Sequence, residues 1–304
     1  MEFDGILFFP LTPFDGDGRL DAAALEQHVS SGLRHRPGGV FAACGTGEIH
    51  ALSAAEHAQA VRTAVQASGG AVPVIAGAGG SVGTAVEQAA AAREQGADGI
   101  LLLPPYLVSG PQRGLVDYVR AVTTAVDIPA IVYQRSTMVL TPATAAEIAV
   151  LPGVVGIKDG VGDLDRMARI VAEVAKRRGD GFTFFNGLPT AEVTVPAYAA
   201  IGVPLYSSAA FAFAPEVATA FYRAFHAGDP LAERLLEVFY RPLVALRDRA
   251  PGYAVSLIKA GARLRGAAVG TVRPPFTDPT EAETAELAAI LEAGLAAVKE
   301  VEAG

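Results

Sequence analysis

The segment GVVGIKDGVGDLDRMARIVAEVAKRRG, Gly153 to Gly179, carries one complete unit of the fold. Of the five residues before Lys158, three are β-branched and two are glycine, so Val154–Lys158 reads as a buried strand. Asp163 is placed to cap a helix over Leu164–Arg178, and Gly179 is placed to end it. The longest basic run of the chain, Lys176-Arg177-Arg178, falls in the last turn of that helix, where cations complement the helix dipole. One feature of the strand is out of character. An ammonium at the tip of an apolar strand is unfavourable unless it is paired or its amine is needed neutral.

The same strand-then-helix rhythm continues in both directions, almost unbroken from residue 5 to residue 226. Strands are predicted at Ile6–Phe9, Val40–Cys44, Val74–Ala76, Gly99–Leu103, Ala130–Tyr133, Val154–Lys158, Phe182–Phe185 and Val203–Tyr206. Ser53 and Glu56 form a capping box ahead of a helix over His57–Ala67 that Gly69-Gly70 ends, and Thr84–Gln95 is a further helix stopped by Gly96. Eight such units predict an α/β protein, a closed (β/α)8 TIM barrel, with a doubly wound open sheet as the alternative. A dinucleotide-binding sheet would want G-x-G-x-x-G after its first strand, where Pro10-Leu11-Thr12-Pro13-Phe14 stands instead.

After Gly228 the strands stop. Helical patterns at Leu231–Arg249, Ala254–Arg265 and Glu281–Val301, joined by an irregular Thr271–Pro279, predict a C-terminal helical appendage. The expected division is a barrel over 1–226 that carries the active site and an appendage over 227–304.

Composition narrows the function classes. The 304 residues are 51% hydrophobic and 18% charged, enough to bury a large core. A formal net charge of -8 and a pI near 5.2 argue against a nucleic-acid partner, which would need a basic surface to displace counterions from phosphates. Met1-Glu2-Phe3-Asp4 lacks a cationic leader, and the apolar stretch from Ala197 to Pro215 is interrupted by Gly202, Pro204 and Ser207-Ser208, so no membrane span is expected. The single Cys44 permits no internal disulfide, and the whole fits a reducing cytoplasm. His28, His35, His50, His57 and His226 show no metal-ligand spacing, so no metal is expected. Cys44 reads as a small buried residue rather than a nucleophile.

In a barrel enzyme the active site lies at the C-terminal ends of the strands, where Lys158 stands. By period-two alternation Val154, Gly156 and Lys158 share a face, and Gly156 is expected to leave room beneath the lysine stem. A lysine desolvated there has a lowered pKa and supplies a neutral amine able to attack a ketone or aldehyde. The competing reading is a structural lysine paired with Asp159 or Asp163. On the neighbouring strand, about 4.8 Å away in a barrel, Ile131, Tyr133 and Arg135 share a face. That places the Tyr133 phenol within reach of Lys158 as a proton shuttle, and offers Arg135 to a carboxylate. After the second strand, Cys44-Gly45-Thr46-Gly47-Glu48 is a glycine-flanked turn whose amides and Thr46 hydroxyl suit a carboxylate. It has neither the length nor the lysine of a P-loop.

With Gly45-Thr46-Gly47-Glu48, Tyr133 and Gly156-Ile157-Lys158-Asp159 at three strand ends, and with Leu11-Thr12-Pro13-Phe14 at the start, the chain resembles the dihydrodipicolinate synthase / N-acetylneuraminate lyase superfamily over essentially its whole length. Gly45 stands where the synthases usually have the first of two threonines, and Leu107 where they have a second tyrosine. Pro104-Pro105-Tyr106-Leu107, Lys158-Asp159-Gly160-Val161-Gly162-Asp163 and Asn186-Gly187-Leu188-Pro189-Thr190-Ala191-Glu192 look like the 5-dehydro-4-deoxyglucarate dehydratase branch, although Tyr133-Gln134-Arg135 replaces its usual Tyr-Asn-Arg.

The resemblance implies a (β/α)8 barrel, Lys158 as Schiff-base lysine, Tyr133 as proton shuttle and Gly45-Thr46 as the binder of a 2-oxo acid carboxylate. It implies a small sugar-acid substrate that is a 2-oxo diacid, no cofactor, and a homodimer or homotetramer. A diacid needs a second anion site, for which Arg135, Asn186, Ser207 and Ser208 are candidates, the two serines equally suiting a turn or cap. The expected reaction is dehydration with decarboxylation. The alternatives are a pyruvate-releasing aldolase or a dihydrodipicolinate synthase-like enzyme on the same lysine, and, from another class, a non-catalytic sugar-acid binding protein.

Overall fold

The computed structural model describes residues 3–179 and 181–302, so the start at Met1 and Glu2 lies outside the described residues. Eight strands, β1 (Leu7–Phe8), β2 (Gly39–Ala42), β3 (Val74–Ala78), β4 (Gly99–Leu102), β5 (Ala130–Gln134), β6 (Val154–Asp159), β7 (Thr183–Asn186) and β8 (Leu205–Ser208), close into a barrel in chain order. β1 pairs with β2 in parallel, and β3 to β8 pair in parallel in succession. This is the (β/α)8 architecture rather than an open sheet. The barrel helices are α1 (Ala22–Leu33), α2 (Ala54–Ser68), α3 (Val82–Glu94), α4 (Gln112–Ala125), α5 (Pro142–Ala149), α6 (Leu164–Arg178), α7 (Val195–Ala200) and α8 (Pro215–Ala227).

By internal packing the chain forms two compact units. One takes in 73–207, with β3 to β7, most of β8 and α3 to α7; the other takes in 4–72 and 208 onward. In the first, β3, β4 and β5 are buried along their whole length, as apolar runs covered on both faces should be. β6 departs from strict alternation: Ala130 pairs with Val154 but Ile131 with Gly156, so Val155 is an extra residue in a bulge. α6 keeps its expected limits, with the Asp163 side chain accepting from the Arg166 amide at 3.0 Å and Gly179 at φ 68°. α3 begins two residues earlier than expected, because Ser81 rather than a later residue caps it. β8 is displaced toward its C-terminus, starting only after Pro204, which has no N–H for a ladder. Ser207 and Ser208 are therefore the last two residues of that strand, with the Ser208 hydroxyl turned to the amide of Phe211 in the turn that follows.

In the second unit α2 has its capping box, Ser53 receiving the Glu56 amide and Glu56 receiving the Ser53 amide, and it starts at Ala54. The appendage contains α9 (Leu231–Leu235), α10 (Arg241–Arg247), α11 (Tyr253–Leu264) and α12 (Glu281–Glu302). The single helix expected over Leu231–Arg249 is instead divided by a π-turn at Leu236–Tyr240. Pro242, at the start of α10, has no amide for the regular ladder, and the turn before it widens. Among the described residues no helix is long and apolar enough to cross a membrane.

His28 in α1 is a buried core histidine, its Nε2 accepting the Leu11 amide at 3.2 Å. Burial pulls its pKa from 6.5 down to about 4. The unfolded chain therefore holds the extra proton between those values, so stability is full above pH 6.5 and falls as pH drops toward 4. Over the whole window the loss is roughly 3 kcal/mol. Urea midpoints taken from pH 7 to pH 4 should fall for the native chain, and more shallowly for His28→Asn.

Candidate active site

Three consecutive strands build the lysine's surroundings. In the β5–β6–β7 register Lys158 lies between Tyr133 and Phe185. Its Nζ sits 4.5 Å from the Tyr133 ring centroid and 5.4 Å from that of Phe185, and the side chain is 5% exposed. The amine thus occupies a nearly closed slot between two aromatic rings, shielded from bulk water.

Two glycines clear that slot. A Cβ at Gly187 would lie 2.3 Å from Lys158 Cε and 2.6 Å from its Cγ, and a Cβ at Gly160 would lie 2.8 Å from the Tyr133 hydroxyl. Gly156, expected to make room for the lysine stem, does something else: its missing Cβ would meet the Thr183 carbonyl at 2.7 Å, so it lets β7 approach β6. Gly187→Ala should therefore push the Lys158 amine off its position. We expect kcat to fall about 100-fold, as for a displacement near 1 Å, with the fold retained by circular dichroism. A kcat within threefold of the native value would show that the stem adjusts freely.

Tyr133 lies at the centre of a short polar chain. Its hydroxyl donates to the Gly187 carbonyl at 2.9 Å and receives an N–H from Arg135 Nη1 at 3.3 Å. Arg135 is itself exposed, on a tight turn in which it exchanges both backbone hydrogen bonds with Met138 at 2.9 Å. Lys158, Tyr133 and Arg135 are thus brought together.

The two carboxylates expected as alternative partners of Lys158 have other engagements. Asp159 is fully buried and accepts from Gln134 Nε2 at 2.7 Å, from the Val161 and Gly162 amides at 3.1 and 3.3 Å, and from the Tyr198 hydroxyl. Burial, then that hydrogen bond, push the Tyr198 pKa far up, so it stays a donor. Asp163 caps α6 and lies 3.4 Å from Arg166. Gln134 belongs to this Asp159 anchor, its Oε1 accepting the Leu140 amide at 3.2 Å. Strand alternation turns it away from the face that carries Tyr133 and Arg135.

The other candidates stand as follows. Asn186 is buried, with its amide donating to the Thr194 hydroxyl at 2.7 Å and the Ala191 carbonyl at 3.3 Å, while its oxygen takes the Leu188 amide at 3.0 Å. The polar groups of its side chain are all engaged in latching the loop after β7. Ser207 donates to the Asn186 carbonyl at 3.3 Å, and the Ser208 hydroxyl accepts the Phe211 amide at 3.2 Å. In the second unit Gly45 is exposed and Thr46 half-buried, on a turn closed by the Glu48 amide to the Gly45 carbonyl at 3.1 Å. Among the described residues no group of His, Cys, Asp and Glu side chains is arranged to hold a metal ion.

A parallel eight-stranded barrel with an enclosed amine at the tip of its sixth strand, and a phenol beside it on the fifth, is the build of a barrel enzyme that works through a lysine. The chain belongs to the dihydrodipicolinate synthetase family, whose model matches residues 2–294. A Streptomyces griseus relative named probable 5-dehydro-4-deoxyglucarate dehydratase is 53% identical over 298 residues, covering 97% of this chain and 93% of the relative. A Variovorax paradoxus protein of the same name is 45% identical and covers 95% of each chain. Among solved structures, dihydrodipicolinate synthase from Oceanobacillus iheyensis matches with a TM-score of 0.87 at 27% identity, over 97% of both chains.

Proposed function

We propose that this chain is a lysine-dependent lyase that converts 5-dehydro-4-deoxy-D-glucarate to 2,5-dioxopentanoate, water and CO2. The observation that carries the reading is the Lys158 amine enclosed between Tyr133 and Phe185, its stem cleared by Gly187. The names of the relatives support the choice of substrate.

The chemistry follows from the amine. Lys158 attacks the ketone, and loss of water gives an imine whose neighbouring CH2 is acidic. Deprotonation there gives an enamine that expels the β-hydroxyl, leaving a conjugated iminium. This accepts the electron pair of the C–C bond to the distal carboxylate as CO2 departs, and hydrolysis releases the product. The electrons stay within substrate and imine throughout, so no step calls for a metal or a redox cofactor. In this reading Tyr133 moves protons at the imine carbon, Gly45 and Thr46 hold the carboxylate beside the ketone, and Arg135 takes the distal one. Ser207 and Ser208 are secondary candidates for that end. Asn186 would serve by holding its loop. The same reading makes the protein a cytoplasmic homodimer or homotetramer, with the site on the barrel of 1–226 and 227–304 as appendage.

The test is an intact-mass spectrum after mixing with 5-dehydro-4-deoxyglucarate and quenching with borohydride, followed by peptide mapping. An adduct on Lys158 that has lost water and CO2 supports the proposal. A pyruvate-sized adduct would make the chain an aldolase, and binding without adduct or turnover would make it a sugar-acid binding protein.

A further inference from the structure

The turn after β2 has two dissimilar sides. On one, a Cβ at Gly45 would meet nothing within 4 Å. On the other, Gly47 is packed so that a Cβ would lie 3.2 Å from each of Ala43 Cα, the Pro10 carbonyl and Thr12 Oγ1, and its carbonyl accepts the Thr12 hydroxyl at 2.7 Å. Glu48 closes this anchored side. It is a left-handed residue at φ 55° whose amide returns to Gly45, and its carboxylate is fully buried.

Both Glu48 oxygens are held from the far end of the chain. Oε1 accepts from Lys259 Nζ of α11 at 2.7 Å, across 211 residues of sequence, and Oε2 accepts the Arg273 amide at 2.9 Å. Both side chains of the Glu48–Lys259 pair are 0% exposed. Arg273 extends the hold. Its guanidinium makes a two-point contact with Glu56 at the start of α2 and donates to the carbonyls of Ala51 at 2.7 Å and Gly18 at 2.6 Å. Lys259 Nζ and the Arg273 guanidinium carbon lie 4.0 and 3.9 Å from the Phe14 ring centroid. A fully buried ion pair is a poor source of net stability compared with apolar residues of the same volume. What it gives is direction, because each Glu48 oxygen is satisfied by one donor at one angle.

We infer that Glu48, Lys259 and Arg273 are positioning residues through which the C-terminal segment sets the backbone geometry of the Gly45-Thr46 turn toward a substrate carboxylate. This rests on the reading above that the turn binds that carboxylate. It carries the function of the appendage beyond coverage of apolar surface, since Lys259 and Arg273 hold the turn by charge and direction.

The experiment uses the full chain and borohydride trapping with two ketones, pyruvate, which carries a carboxylate, and hydroxyacetone, which does not. Thr46→Val tests the turn itself. The double variant Glu48→Gln with Lys259→Met removes the ion pair without leaving a lone buried charge, and Arg273→Lys keeps the charge but loses the fork. We expect the half-saturating pyruvate concentration to rise about 10-fold in Thr46→Val and in the double variant, and about 3-fold in Arg273→Lys, with hydroxyacetone unchanged. If Thr46→Val raises it and the folded double variant does not, the cluster is structural only and the inference fails. Equal losses with both ketones would overturn it as well, because the damage would then lie at the lysine. If Thr46→Val has no effect, the carboxylate reading falls and this inference with it. Should the double variant not fold, Arg273→Lys decides by the same comparison.

Discussion

Lys158→Met yields a folded protein that releases no CO2 from 5-dehydro-4-deoxyglucarate and is not captured with it by borohydride. The expected loss in kcat is at least about 10⁴-fold, because without the amine there is no covalent route and only the residual effect of binding remains. Methionine is chosen because it fills the slot between the Tyr133 and Phe185 rings with an unbranched stem while removing the nitrogen. The Asp159 carboxylate keeps its hydrogen bonds from Gln134, Tyr198 and two amides in the variant. The thermal midpoint should accordingly be unchanged or higher, as expected when a buried amine gives way to an apolar side chain. Turnover within tenfold of the native chain would exclude the imine, whatever the stability.

How far this site can be read from sequence depends on the range of the interaction. The juxtaposition of Lys158 and Tyr133 was legible because each lies near the end of its strand, and neighbouring parallel strands bring equivalent ends side by side. Phe185, on the other side of the lysine, lies at the matching register position of the next strand, one residue before its end, and could have been found by the same reasoning. Gly187 and Gly160 could not. A glycine in a loop after a strand is ordinary, and only the path of the folded chain shows that one clears a lysine stem and the other a phenol. The same holds for Glu48 and Lys259, whose pairing needs α11 to be docked before it exists. Asn186 shows the converse. Its place at a strand end suggested a substrate contact, whereas the loop that follows takes up its amide through Thr194 and Ala191. At the level of fold, the shift of β8 and the π-turn inside the long appendage helix share a cause, a proline whose missing amide interrupts a regular ladder.

Tyr133→Phe separates imine formation from imine existence. The ring that packs under the Lys158 amine is retained and only the hydroxyl is lost, so the amine keeps its place at 4.5 Å from the ring centroid while the proton path is cut. In the native chain that hydroxyl donates to the Gly187 carbonyl and accepts from Arg135, so one proton is held and a second donor stands behind it. A phenol wired in this way can pass its proton to the departing carbinolamine oxygen and recover one from solvent, while the Arg135 guanidinium steadies the phenolate in between. General acid–base assistance of this kind contributes about 10²–10⁴-fold, so kcat should fall by about 10³-fold. Borohydride should still capture the imine in Tyr133→Phe, to nearly the native extent but at a rate reduced by a similar factor. That pattern, a slow approach to a full adduct, distinguishes it from Lys158→Met, in which no adduct forms at any time. A normal trapping rate in Tyr133→Phe would remove the phenol from imine formation and leave its hydrogen bonds to Gly187 and Arg135 as a brace for the loop and the guanidinium.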